Sequence, residues 1–121
     1  MKVIPIVFVL LLALSACSKP AATISQSEAA QYRAAFDAAK MSPEIQAKWA
    51  RSCALCHVAG QGGAPRVGHA DEWAPRLKQG EAVLMQHTLD GYNSMPPLGY
   101  CMGCEMTDFA AMLDMMSGRK Q

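Results

Sequence analysis

The stretch Arg51-Ser52-Cys53-Ala54-Leu55-Cys56-His57-Val58 constrains this chain more than any other. Its core, Cys53-x-x-Cys56-His57, sets two thiols three residues apart on one turn and an imidazole directly after them. Thiols so spaced can add to the two vinyl groups along one edge of a porphyrin, and the histidine is then carried beneath the ring, where it can ligate iron. A bare cysteine pair at this spacing also serves as half a zinc site or as a redox dithiol. The histidine that follows argues for covalently bound haem over both. Cys53 and Cys56 are therefore the expected thioether positions and His57 an expected axial ligand, in a protein with one haem c.

With 121 residues there is room for one small domain. A chain this short buries a modest core, so a haem would supply much of the interior. Eleven Lys and Arg stand against ten Asp and Glu, a formal charge of +1. Phosphate binding draws on a basic surplus, so this balance argues against nucleic acid as the partner. The 51% hydrophobic content is inflated by the N-terminus.

Residues 1–16 read as an export signal, with Met1-Lys2 as a positive start and Val3 to Leu14 as an apolar run interrupted by Pro5. That run is too short to span a bilayer. Leu14-Ser15-Ala16-Cys17-Ser18 resembles the bacterial lipoprotein box, in which the cysteine becomes the lipidated first residue. Ordinary cleavage would leave Cys17 as a stray thiol in an oxidising compartment, a liability, so lipidation of Cys17 is the expectation. Residues 17–41 then comprise the lipidated cysteine, a linker and a short helix. Ser25-x-x-Glu28 has the form of a capping box, and Tyr32 and Phe36 lie four apart, on one face that should pack rather than stay solvated.

The haem domain is expected over 42–118, with 119–121 as a tail. Ser42-Pro43-Glu44 marks a helix start. Ile45, Trp49 and Cys53 fall at i, i+4 and i+8, so one helical face should lead straight into the haem-binding turn, with Trp49 as helix–helix core rather than a cofactor contact. After His57 comes the Gly-rich loop Ala59 to Gly68, which lacks the Lys-Ser/Thr end of a phosphate cradle. A neutral histidine ligand needs an acceptor for its Nδ1–H, and the Pro65 carbonyl is the candidate; otherwise Pro65 is a plain rigid turn. In Trp73-Ala74-Pro75-Arg76, an indole N–H and a guanidinium stand close enough to hold a haem propionate, or else Arg76 is a solvated charge. Gly80 to Asp90, ended by Gly91, reads as a helix whose buried side holds Val83, Leu84, His87 and Leu89. His87 and His69 are read as packed and loop histidines, not ligands.

Nine methionines make a methionine alone uninformative. Met95 differs, because it sits in Tyr92-Asn93-Ser94-Met95-Pro96-Pro97-Leu98, a non-helical loop stiffened by two prolines. A thioether is a weak ligand whose bond to iron survives only on a loop already shaped to present it, and Pro-Pro lowers the entropy lost in closing. Met95 is the expected second axial ligand, and His–Met coordination raises the potential relative to two histidines. Cys101-x-x-Cys104 lacks a following histidine, so a second haem is not expected. A structural disulfide and a redox-active dithiol both fit the pair, with export favouring the bridge. Thr107-Asp108 opens a last helix that Gly118 closes, its stripe of Phe109, Met112, Leu113 and Met116 facing the helix of Ile45 and Trp49.

Over about residues 43 to 117 the chain resembles the class I c-type cytochromes, and within them the bacterial cytochrome c5 group. The resemblance rests on Cys53-Ala-Leu-Cys56-His57, Gly63-Ala-Pro65-Arg-Val-Gly68, Trp73-Ala-Pro-Arg76, Met95-Pro-Pro97 and Cys101-x-x-Cys104. It implies an all-α fold of four to five short helices around one covalent haem, with crossed terminal helices, His57 and Met95 as axial ligands, and a Cys101–Cys104 disulfide. It also implies a carrier of single electrons on the periplasmic side, working between respiratory membrane complexes and terminal oxidases or reductases. Such a carrier is not an enzyme and has no small-molecule substrate; its partners are redox proteins of the respiratory chain and, through lipid, the membrane. Two departures stand out. Leu98 occupies a place where the group commonly has a basic residue, and the lipoprotein-like leader differs from that of a freely diffusing carrier. The rival readings are a haem enzyme or ligand-sensing domain with a labile methionine, and a thiol–disulfide exchange protein built on Cys101 and Cys104.

Overall fold

In the computed structural model, residues 23–119 are described. The export signal, Cys17 and residues 120–121 lie outside them. Six α-helices follow in order: α1 Gln26–Ala38, α2 Pro43–Ala50, α3 Ala54–His57, α4 Ala70–Leu77, α5 Glu81–Asp90 and α6 Met106–Ser117. Two 3-10 turns, Gln61–Gly63 and Pro97–Tyr100, lie in the loops. Among the described residues there is no strand, only an isolated bridge between Tyr92 and Met95. The count exceeds the expected four to five because α3 is a single turn and α4 forms around Pro75, where the proline hid a helix from the sequence.

The helix starts follow from local chemistry. Ser25 Oγ accepts the Glu28 backbone N–H, while the Glu28 carboxylate accepts from the Ser25 N–H at 2.8 Å, closing the capping box on α1. Ser42 Oγ caps Ile45, with Pro43 in the first turn of α2. Glu105 and Asp108 cap each other's backbone at the start of α6, and Gly118 ends it in a left-handed conformation that favours glycine.

α6 is the organising element. Phe109, Ala110, Ala111, Met112, Leu113 and Met116 are buried along it, and α1, α2 and α5 pack around it, with Ile45 and Trp49 of α2 against the same cluster. α1 belongs to this core. Tyr32 and Phe36 are buried, the Tyr32 hydroxyl donates to Gln86 Oε1 at 3.2 Å, and the Arg119 guanidinium sits 4.5 Å above the Phe36 ring. The continuous core therefore begins well before residue 42. The expected continuous stripe Ile45–Trp49–Cys53 is interrupted: α2 ends at Ala50, and a turn held by Ser52 Oγ donating to the Lys48 carbonyl at 2.7 Å leads into α3. Lys48 also crosses to α6, its Nζ 2.8 Å from Asp108 Oδ2.

Candidate cofactor site

α3 is one helical turn with Cys53 at its cap and His57 as its last residue, the His57 N–H donating to the Cys53 carbonyl at 3.0 Å. That turn brings both thiols and the imidazole onto one cavity, which is partly open to solvent. Its far walls are apolar, with Leu84 from α5 and Phe109, Met112 and Leu113 from α6.

His57 is buried, and its Nδ1 lies 2.7 Å from the Pro65 carbonyl oxygen. The carbonyl accepts the Nδ1–H, which fixes the tautomer and leaves Nε2 as the ring's free lone pair. The Val67 N–H donates to the His57 backbone carbonyl at 3.0 Å, and Trp73 stacks on the ring with its centroid 5.7 Å away. Burial pushes the His57 pKa down; the Pro65 bond opposes this and the nearby Arg76 charge adds to it. The imidazole is thus kept neutral, the state a metal ligand requires. Cys53 is buried, and burial pushes its thiol up. Cys53 and Cys56 are both unpaired.

Met95 lies on the same cavity. It is presented by a tight turn in which Tyr92 and Met95 exchange backbone hydrogen bonds of 3.0 and 2.9 Å, with Asn93 between them at positive φ. The entry to the turn is glycine by necessity: at Gly91, φ is +85°, and a Cβ would stand 2.8 Å from the Met95 carbonyl oxygen. A Cβ at Gly99 would make only ordinary contacts, 3.4 Å from the Met95 methyl and 3.8 Å from Cys53 Sγ, so glycine suits this position through its φ of +52°. Ser94 Oγ donates to the Gly62 carbonyl at 2.6 Å, joining the turn to the Gly-rich loop.

The remaining expected site residues divide. Arg76 lines the cavity, one N–H donating to the Glu72 carbonyl at 2.6 Å. Trp73 lines it too, but its indole N–H donates to the Arg66 carbonyl at 2.8 Å. The indole is therefore committed to the backbone rather than aimed at a propionate, and the two-donor arrangement expected from Trp73 and Arg76 reduces to Arg76. Arg66 in turn grips the Glu72 side chain, holding its carboxyl down to about 2. Cys101 and Cys104 form a disulfide, Cα–Cα 5.4 Å, between the Pro97–Tyr100 turn and α6, and neither lines the cavity. The Trp49 indole nitrogen is buried without a hydrogen-bond partner. His87 and Tyr92 stack on the cavity wall with ring centroids 3.9 Å apart, a pairing that no sequence pattern signals.

Two free thiols, a neutral imidazole with one nitrogen unspent and an apolar cavity suit a covalently attached haem. Among the described residues, no three His, Cys, Asp or Glu side chains converge as a zinc site would need. Fold and donor set together define a covalent haem protein. A family model described as "Cytochrome C oxidase, cbb3-type, subunit III" matches residues 41–114. Cytochrome c5 of Azotobacter vinelandii is 35% identical over 82 residues, covering 66% of this chain and 95% of that protein. Cytochrome c5 of Ectopseudomonas mendocina is 34% identical over 71 residues, 57% of this chain and 82% of that one. Cytochrome c-555 of Chlorobaculum tepidum is 43% identical over 58 residues, 48% of this chain and 50% of that one. A chain in the crystal structure of an electron transfer complex of nitrite reductase with cytochrome c superimposes with a TM-score of 0.57 at 29% identity, covering 65% of this chain and 96% of that one.

The chain belongs to the class I c-type cytochromes, with relatives in the cytochrome c5 group. It carries one covalently attached haem c and is an electron carrier, not an enzyme.

Proposed function

We propose that this cytochrome passes single electrons between redox proteins on the periplasmic side of the membrane, with His57 and Met95 as the two axial ligands of its iron and Cys53 and Cys56 as the thioether positions. When bound, the haem supplies a one-electron iron couple. What the chain does is hold both ligands still, so that little rearranges between oxidation states. The observation that carries this reading is the pairing of two rigid presentations on one cavity: His57 oriented by Pro65, and Met95 pinned between Tyr92 and the Pro96-Pro97 stretch. A labile sixth position, as a haem enzyme or gas sensor needs, is disfavoured by that same turn. Arg76 is positioned to neutralise a propionate, with Trp73 as packing.

The partners are proposed as respiratory complexes and terminal oxidases or reductases; the neighbouring structure, a nitrite reductase complex with cytochrome c, is support by likeness. Lipid on Cys17 would keep the carrier close to membrane-bound partners and raise its effective concentration there. The test is an optical spectrum of the purified protein. A c-type α-band on reduction and the weak near-infrared sulfur-to-iron absorption on oxidation are expected. Ready carbon monoxide binding at neutral pH would refute the ligation.

A further inference from the structure

The chain leaves α5 through Gly91, at φ +85° and ψ 156°. Glycine has the freest backbone of any residue, so Gly91 by itself does not fix the direction in which the Met95 turn sets out. An aromatic pair spans that point. His87 lies in the last turn of α5 and Tyr92 directly follows the glycine; their rings are stacked, with planes 17° from parallel. Among the described residues, no hydrogen bond holds either ring nitrogen of His87 or the Tyr92 hydroxyl, so the contact between the two is one of ring faces. His87 is the fixed member. Leu84, Met85 and Thr88 of its helix are buried, and on another side the Tyr32 hydroxyl of α1 donates to Gln86 Oε1 at 3.2 Å. Tyr92 is the carried member: it is exposed, and its backbone exchanges two hydrogen bonds with Met95. A swing of Tyr92 about Gly91 would take Met95 with it.

We propose that His87 is a positioning residue for Met95: its ring, fixed on α5, seats Tyr92 and so holds the Met95 thioether on the cavity. The inference rests on the ligation by Met95 proposed above and deepens it, by naming the side chain outside the turn that sets the turn's direction. His87 acts through Tyr92 and the Tyr92–Met95 backbone bonds, by the area of its ring and not by its charge or its proton. Another flat ring at position 87 can therefore do the same.

The experiment is the displacement of Met95 by added imidazole in the oxidised full-length holoprotein at neutral pH, followed by loss of the near-infrared sulfur-to-iron band. In His87→Ala the dissociation constant for imidazole should fall about three- to tenfold, the weight of one aromatic pair. His87→Phe keeps a stacked ring and should lie within about two-fold of wild type. Tyr92→Ala should match His87→Ala. The double variant should differ from either single one by less than about two-fold, because both changes remove the same contact. Two changes that merely enlarged the cavity would multiply. A wild-type constant in His87→Ala, a His87→Phe variant as easily displaced as His87→Ala, or multiplied effects in the double variant would overturn the proposal. So would a His87→Ala protein whose denaturant midpoint falls while its imidazole constant stays put, since that is the signature of packing alone. Each of these outcomes refutes this inference only. Absence of the near-infrared band from the wild type would refute the ligation by Met95 beneath it.

Discussion

Ser94 and Gly62, thirty-two residues apart, are joined across the cavity mouth by a 2.6 Å hydrogen bond from the serine hydroxyl to the glycine carbonyl. This bond connects the loop after His57 to the turn that carries Met95, so the two sides of the site are positioned against each other and not only against the helices. The Ser94→Ala variant should lose about 0.5–1.5 kcal/mol of stability, the usual net worth of one such bond. Denaturant titration of the oxidised holoprotein reads it directly, and an unchanged midpoint would show that the bond does not hold the rims together.

Gly91→Ala should be more damaging to the site than to the fold. A Cβ there meets the Met95 carbonyl oxygen at 2.8 Å and the Pro97 nitrogen at 3.0 Å, at a φ of +85° that side chains rarely adopt. The backbone must shift where Met95 is presented, at a cost of about 1–3 kcal/mol for the strained conformation. Loss or weakening of the near-infrared sulfur-to-iron band, with the c-type reduced spectrum retained, is the expected outcome. Full retention of that band would mean that the turn does not govern Met95.

Replacing Met95 itself by Ala should free the sixth position, so that carbon monoxide binds the reduced protein. The reduction potential should fall, since a thioether ligand raises it. Potentiometric titration beside the spectrum checks both; a variant with unaltered spectrum and potential would remove Met95 from the coordination sphere.

Lys48 and Asp108 make the pH dependence of folding predictable in sign. Burial alone would push the Asp108 carboxyl up, but the Lys48 ammonium and the Glu105 N–H hold it, on balance, below its ordinary value. A carboxyl depressed in the folded state stabilises fully above its unfolded pKa, about 3.9, and that contribution is lost as pH falls through the folded value. Lys48 is shifted up chiefly by its bond to Asp108, so the pair is also lost at the alkaline end, as pH rises through the raised value. Lys48→Met should therefore be less stable than wild type at neutral pH, with the gap closing below about pH 4. A gap independent of pH would mean that the lysine acts by packing alone.

Phe36→Ala tests whether α1 is integral to the core. The ring is 4% exposed and packs beneath Arg119, and large-to-small core changes of this kind cost about 3–5 kcal/mol. Thermal unfolding should show one cooperative transition at lower temperature. A midpoint unchanged from wild type would make α1 an appendage.

What was legible in the sequence was chemistry with a fixed spacing. Cys53-x-x-Cys56-His57 needs one helical turn, and the structure forms that turn; Met95 before two prolines was read as lying in a loop, and it lies in one on the cavity wall. The Pro65 carbonyl was identifiable because a neutral histidine ligand requires an acceptor for its Nδ1–H, and the structure pairs the two at 2.7 Å. Partners chosen by tertiary packing were not legible. The Trp73 indole finds the Arg66 carbonyl only because α4 folds back onto the Gly-rich loop. On α5, the expected buried side of Val83, Leu84, His87 and Leu89 is rotated: Leu84, Met85 and Thr88 are buried, Met85 completely. α5 is covered by α1 on one side and by the Pro97–Tyr100 turn on another, and no single-helix periodicity encodes two neighbours. In a chain with nine methionines, nothing distinguishes Met85 as core in advance.

The Cys101–Cys104 bridge stands between the Met95 segment and α6, while Gly91 and the Tyr92–Met95 turn close that segment at its other end. The segment that carries Met95 is therefore fastened at both ends, by a glycine-led turn on one side and by a covalent bond on the other. A change made between those two points should alter how Met95 is presented to the cavity before it alters α6 and the interior packed on that helix.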